Sequence, residues 1–208
     1  MKKTIVIVLT TIILLSLCSC GTSSSDKSGN SSLSKSNAKG SSTSNPYDST
    51  DSFEIIAYKL KSNNYFTDER EVENKTKIKI SNVKYQSDAP FSYAYNKDKT
   101  KDFCIITFDI NVSESESKDM LNIGLDYLSI GAVDNLGTET RSLVSIDDEM
   151  IEKYNAQQKF EFLNIYPSSN TIKCITCVSV SEGSKLQLVH FVYYNENGEK
   201  CNIYVNPE

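Results

Sequence analysis

Hydrophobic and polar residues alternate along most of the second half of this chain, and a period of two marks strands with one buried face. The clearest case is residues 103–112. Cys104, Ile106, Phe108, Ile110 and Val112 share one side there, while Thr107, Asp109 and Asn111 share the other. Ile78 and Ile80 alternate with lysines, and Val83 and Tyr85 continue one position out of phase, which predicts a bulge near Ser81-Asn82. Further strands are expected over 125–133, 138–145, 159–166, 171–181 and 185–194, with a last one through Cys201, Ile203 and Val205. Turns fall at Asp134-Asn135-Leu136-Gly137, at Pro167-Ser168-Ser169-Asn170 and at Asn197-Gly198. The last suits a two-residue type I′ hairpin, since both residues tolerate positive φ. Two stretches read differently. Phe53, Ile56, Ala57 and Leu60 fall at i, i+3, i+4 and i+7, so 51–61 is expected to form a short helix or an extended lead-in, while the β-branched pair Ile55-Ile56 and the aromatic residues also suit a strand. Asp147 to Tyr154 suits one or two helical turns with acids at the N-terminus. Seven or eight short strands with little helix predict an all-β sandwich.

The first twenty residues have no such alternation. Lys2 and Lys3 precede an almost uninterrupted apolar run over 4–17, and Leu17-Cys18-Ser19-Cys20-Gly21 closes it. A basic start, a short apolar middle and a small-residue end make a secretory signal, too short to stay as a spanning helix. The closing residues resemble the lipobox of bacterial lipoproteins, with Leu17 three before and Ser19 just before Cys20. Leu17 directly before Cys18 is too large for that pattern, so Cys20 is the acceptor. The resemblance implies diacylglyceryl transfer to the Cys20 sulfur, cleavage after Ser19, and a lipid-anchored place on the extracytoplasmic face of the cell membrane.

From Gly21 to Pro46 the chain turns to Ser, Thr, Asn, Gly and Lys. Such a composition buries too little apolar surface to offset chain entropy and is expected to be a disordered tether. The expected organisation is therefore a signal peptide over 1–19, lipidated Cys20 with its tether over 20–46, a lead-in over 47–76 and the sandwich over 77–208. In a chain of 208 residues that leaves one medium domain. The formal net charge is −5, and removing Lys2 and Lys3 makes the remainder more acidic still. An acidic, Trp-free domain argues against nucleic-acid partners and against electrostatic docking on anionic lipid, so the membrane is met through the lipid alone.

The order of motifs in the domain carries a second resemblance. Phe103-Cys104-Ile105-Ile106-Thr107-Phe108-Asp109-Ile110 is followed by Asp134-Asn135-Leu136-Gly137, by Ile165-Tyr166-Pro167, and by 172–180 with Glu182-Gly183-Ser184-Lys185-Leu186 behind it. This succession is similar to the telokin-like immunoglobulin-fold domains of Gram-positive lipoproteins, over roughly residues 77–194. The proline is followed by Ser168 where that family usually has glycine. The resemblance implies an immunoglobulin-like β-sandwich used for extracytoplasmic binding or interaction.

Candidate chemistry is sparse. Cys174-Ile175-Thr176-Cys177 has the C-x-x-C spacing of redox and zinc sites. Inside a strand, however, the pair points to opposite faces, about 10 Å apart, beyond the reach of a disulfide. Cys104 and Cys174 both fall on apolar faces, and two readings stay open for them: a bridge between them, or buried free thiols. His190, the single histidine, alternates with Leu188 and Val192, and no nucleophile or general base is brought to it by any spacing. The acids Asp147-Asp148-Glu149 and Glu114, Glu116 and Asp119 lack the spacing of a calcium loop. Phe91, Tyr93 and Tyr95 form an aromatic loop that is either a contact surface or a cover for one end of the core. The expected function is a lipid-anchored binding module without catalytic activity, cofactor or metal, whose ligand is a protein or an envelope component. The alternatives are an envelope redox or metal protein using Cys174 and Cys177, and a structural subunit of a membrane complex.

Overall fold

The structure, a computed structural model, describes residues 38–61, 71–88, 101–141, 146–167 and 170–207. They contain the strands β1 (Tyr47–Asp48), β2 (Ser52–Leu60), β3 (Val72–Asp88), β4 (Lys101–Ser115), β5 (Leu121–Asn122), β6 (Leu128–Asp134), β7 (Glu139–Arg141), β8 (Gln158–Lys159), β9 (Asn164–Ile165), β10 (Thr171–Ser181), β11 (Leu186–Tyr194) and β12 (Lys200–Asn206). Two short helices, α1 (Ile123–Asp126) and α2 (Asp148–Lys153), and a 3₁₀ turn at Phe160–Phe162 complete them. One five-stranded sheet has the order β1-β12-β11-β6-β7 and the other β2-β3-β4-β10-β8, while β5 and β9 form a separate two-residue ladder. All belong to one compact unit, Lys35–Glu208.

The two sheets share one core because their alternating inward residues interdigitate. Ile78, Ile80, Phe108 and Ile110 of the β4 sheet lie in one cluster with Ile130, Val189, Phe191 and Val205 of the β11 sheet. Phe191 stands edge-on to both Phe53 and Phe108, at 5.7 and 5.4 Å between ring centroids. Burying each such ring contributes about 2–3 kcal/mol. This is an all-β sandwich.

The strand β10 is buried on both faces. Cys174, Val178 and Val180 face the main core, whereas Ile175 and Cys177 sit with Ile105 and Ile146 in a second cluster packed by Met150, Ile151 and Tyr154. The helix α2 covers that outer face, and the Asp147 carboxylate caps it by accepting from the Met150 N–H at 3.0 Å. A strand covered on both sides loses its polar alternation, so Cys174, Ile175 and Cys177 are all buried among apolar residues while the buried Thr176 hydroxyl is satisfied by Glu161.

Several expectations are corrected. Residues 51–61 do not form a helix; they hold β2, paired antiparallel with β3 from Ser52↔Ser81 to Leu60↔Val72. Phe53, Ile55 and Ala57 are buried while Glu54 and Ile56 are exposed, so the adjacent Ile55 and Ile56 divide between two faces, which a helix stripe would not require. The domain also begins earlier than position 77. Tyr47 stacks on Phe53 at 4.9 Å, and residues 38–46, assigned to the tether by composition, fold against β12 through the Tyr204 N–H to Gly40 carbonyl bond of 2.8 Å. Lys39 anchors that segment by ion pairs to Asp48 and Asp51. The strand expected over 159–166 is broken by the 3₁₀ turn. The Asn197-Gly198 turn is a three-residue loop closed by Asn195 and Glu199, with positive φ at Gly198 but not at Asn197. The bulge near Ser81-Asn82 is present, with a register shift between Ser81 and Lys84.

Candidate contact surface at one end of the sandwich

Two short segments, one around β5 and α1 and one around the 3₁₀ turn and β9, are sewn together where the sandwich ends. Leu121 pairs with Ile165 and Asn122 with Asn164, and the Ile123 N–H donates to the Leu163 carbonyl at 3.0 Å. Asn122 caps α1 by accepting from the Leu125 N–H at 3.1 Å. The helix seats directly on the 3₁₀ turn because Gly124 has no side chain there. A Cβ at that position would lie 2.2 Å from the Phe160 carbonyl oxygen.

These segments turn half of their apolar residues inward. Leu121, Ile123, Phe160, Leu163 and Ile165 are buried. The neighbours of these anchors point out: Met120 is 53%, Leu125 71%, Phe162 60% and Tyr166 63% exposed. Met120 and Tyr166 adjoin the Leu121↔Ile165 pair in sequence, just outside that two-residue ladder, and Leu125 and Phe162 sit on the two turns that pack on each other. Four large apolar side chains thus gather at one end. Asp119 and Asp126 border them, and Asp126 is tied to Lys59 at 3.3 Å. Glu161 lies between Phe160 and Phe162 but turns inward, where its Oε1 accepts from the Thr176 hydroxyl at 2.7 Å. Its Oε2 is buried without a hydrogen bond. Burial pushes this carboxyl above the usual range, against the opposing Thr176 bond.

The other end is closed by polar groups. The Asp134 carboxylate is fully buried and accepts from the N–H groups of Leu136 at 2.9 Å and Thr138 at 2.8 Å. It also accepts from the Ser181 N–H at 3.3 Å and the Ser184 hydroxyl at 3.2 Å, so one side chain clamps the β6–β7 turn to the β10–β11 turn. Asn135 and Lys185 complete the clamp with reciprocal bonds of 2.9 and 2.7 Å. Burial raises the Asp134 pKa, but the hydrogen bonds from Ser181, Thr138 and Leu136 outweigh it and hold the carboxyl well below its usual range.

The remaining candidates fall as follows. Cys20 and the aromatic loop Phe91, Tyr93 and Tyr95 lie outside the described residues. None of Cys104, Cys174, Cys177 and Cys201 is in a disulfide. The bridge between Cys104 and Cys174 is corrected by register: Cys104 pairs with Val178 and Cys174 with Phe108, four residues apart on adjacent strands and beyond disulfide reach. Cys174 and Cys177 sit in different clusters on opposite faces, and burial pushes both thiols far above the ordinary range. His190 is buried beside Tyr204, 5.8 Å between ring centroids. The acidic runs serve structure: Asp147 as a cap, Asp148 with Lys159, Glu114 with Lys77, Glu116 with Lys75. Among the described residues no group of three or more acids, histidines or cysteines is placed to hold a metal ion.

Sequence reasoning missed the patch of Met120, Leu125, Phe162 and Tyr166. Its signal was an apolar surplus: both segments carry more large apolar residues than one buried face accepts. No protein-family model, no curated protein and no solved structure matches this chain.

Proposed function

We propose that this chain is a lipid-anchored, extracytoplasmic interaction module without chemistry of its own, and that it engages a protein partner through the end bearing Met120, Leu125, Phe162 and Tyr166. The supporting observation is the exposure of these four side chains on a seat whose own anchors are buried. Methionine and aromatic residues are enriched at the centre of protein interfaces, with polar residues at the rim. Asp119 and the Asp126–Lys59 pair supply such a rim, so the partner surface has an apolar centre with a polar border. The anchor rests on the pattern Leu17 to Cys20, and the tether that follows lets the domain search for a partner near the membrane.

Two experiments test this reading. Metabolic labelling with a fatty-acid analogue is expected to mark the wild type and not Cys20→Ala; label that survives the change removes the anchor. A photo-crosslinking residue at Phe162 is expected to give a discrete adduct on intact cells that Leu125→Asp abolishes. The same probe at Leu136, 72% exposed at the polar end, is the control. Adducts at both positions, or at neither, overturn the docking end.

A further inference from the structure

Beneath the apolar end lies a carboxyl that the exposed patch does not use. In the 3₁₀ turn Phe160–Phe162 three successive side chains take three directions. Phe160 enters the core, edge-on to Phe108 at 5.4 Å between ring centroids, while Phe162 points into solvent. Glu161 turns toward β10, where its Oε1 accepts from the hydroxyl of the buried Thr176 at 2.7 Å. That bond joins the turn to β10 between a core anchor on one side and a docking residue on the other. The same turn is the seat of α1. The Leu163 N–H donates to the Phe160 carbonyl at 3.1 Å, and the Ile123 N–H donates to the Leu163 carbonyl at 3.0 Å.

A carboxyl held in this way behaves differently in its two protonation states. Neutral, it keeps the Thr176 bond and leaves Oε2 as a buried polar atom without a partner. Ionised, it brings a charge to the same place, which costs far more than a neutral polar atom unless cations or several donors answer it. The groups around it answer weakly. Lys159 on β8 favours the charged form but is bound to Asp148 at 3.0 Å. Asp126 on α1 is itself an anion, tied to Lys59 at 3.3 Å. Cys174 and Cys177 on β10 carry thiols that burial keeps neutral. Desolvation accordingly raises the Glu161 pKa, against the Thr176 bond, its own backbone N–H and Lys159.

We propose that Glu161 is a pH-operated pin beneath the docking end: neutral, it fastens the 3₁₀ turn to β10 through Thr176, and ionised, it swings out to water and loosens the seat of Phe162 and Leu125. Regulation of this kind rests on the docking end proposed above. Leaving Thr176 strands a buried hydroxyl without its acceptor, so the released turn loses its tie to β10 rather than exchanging it for another. The folded chain favours the neutral form, so the pin holds at acid pH and is lost as pH rises through the folded pKa. Partner capture is therefore strongest on the acid side, because a loosened patch must be ordered again on binding.

Hydrogen exchange in the full chain reads the pin without a partner. Protection of the Leu163 and Ile123 amides, corrected for intrinsic exchange, is expected to fall roughly fivefold or more between about pH 4 and about pH 8. The Asp134 N–H, bound to the Thr138 carbonyl at the clamp, is expected to keep its protection and so verifies the fold in each variant. Glu161→Gln, neutral at every pH, is expected to stay at the acid level. Thr176→Val is expected to stay at the low level, with no pH dependence in either variant. The Phe162 photo-adduct on intact cells should fall with rising pH in the wild type and stay constant in Glu161→Gln. Flat wild-type protection, or a fall in Glu161→Gln that matches the wild type, overturns the pin. Protection that falls beside a constant adduct overturns its control of docking. An adduct absent at every pH, with protection behaving as stated, fails the docking end and supports the pin.

Discussion

The two ends of the sandwich are built from opposite materials. At one, a buried carboxylate gathers four hydrogen bonds and ties two turns together. At the other, turns are held by apolar anchors and leave four further apolar side chains in solvent. A polar clamp stabilises the fold and offers little to a partner, because its groups are already satisfied. An apolar seat stabilises the fold and keeps apolar area in reserve. Stability and recognition are therefore separable by substitution here.

The largest effect belongs to the clamp. Asp134→Ala leaves the N–H groups of Leu136, Thr138 and Ser181 without their acceptor, and is expected to lower stability by about 3–4 kcal/mol in urea unfolding. Asp134→Asn is expected to recover only part of this, since its NH₂ would face the Ser181 donor. Photo-crosslinking at Phe162 should be unaffected under conditions where the variant remains folded. Loss of the adduct from folded protein would show that the two ends are coupled.

Next comes the seat of the patch. Gly124→Ala forces a methyl group against the Phe160 carbonyl oxygen, backbone that cannot rotate away. A cost of about 2 kcal/mol is expected, together with a weaker Phe162 adduct, because α1 must lift from the turn carrying Phe162. A change in stability without a change in adduct would mean that the geometry of the seat does not matter to the partner.

The two ends also titrate in opposite senses. The Asp134 pKa is depressed in the folded chain, so its contribution is present above its unfolded pKa and lost as pH falls through the folded one. The Glu161 pKa is raised, so its contribution is present below its unfolded pKa and lost as pH rises through the folded one. Melting temperature measured against pH is expected to fall less on the acid side in Asp134→Asn. In Glu161→Gln it is expected to fall less as pH rises above the ordinary carboxylate range. Parallel profiles for Glu161→Gln and wild type would mean that the Glu161 carboxyl is solvated.

How much of this was legible depends on whether a residue's role is local. The strand through Cys104, Ile106, Phe108 and Ile110, the helix capped by Asp147 and the turn at Asp134 all follow from neighbours in sequence. The partners of Asp134 at Ser181 and Ser184 do not, since they arrive from a hairpin almost fifty residues away. Ile56 was misread because its spacing from Phe53 and Leu60 fits a helix, and only pairing with β3 decides for a strand. The patch was hidden for a similar reason. Met120, Leu125, Phe162 and Tyr166 look like core residues one at a time, and it takes the Leu121↔Ile165 ladder to show that the inward places are already filled.

The smallest expected effect on stability is the one that separates recognition from folding most sharply. Leu125→Ser and Phe162→Ser remove apolar surface that water already reaches, so each is expected to change unfolding free energy by no more than about 0.5 kcal/mol. If the end is an interface, each should weaken partner capture by roughly tenfold or more, as truncation of a central apolar contact does. The probe can then be placed at Tyr166 to read the adduct in both variants. A loss of stability approaching that of Gly124→Ala would place these side chains in the core of the native ensemble. An unchanged adduct in a stable protein would leave the apolar end without a partner.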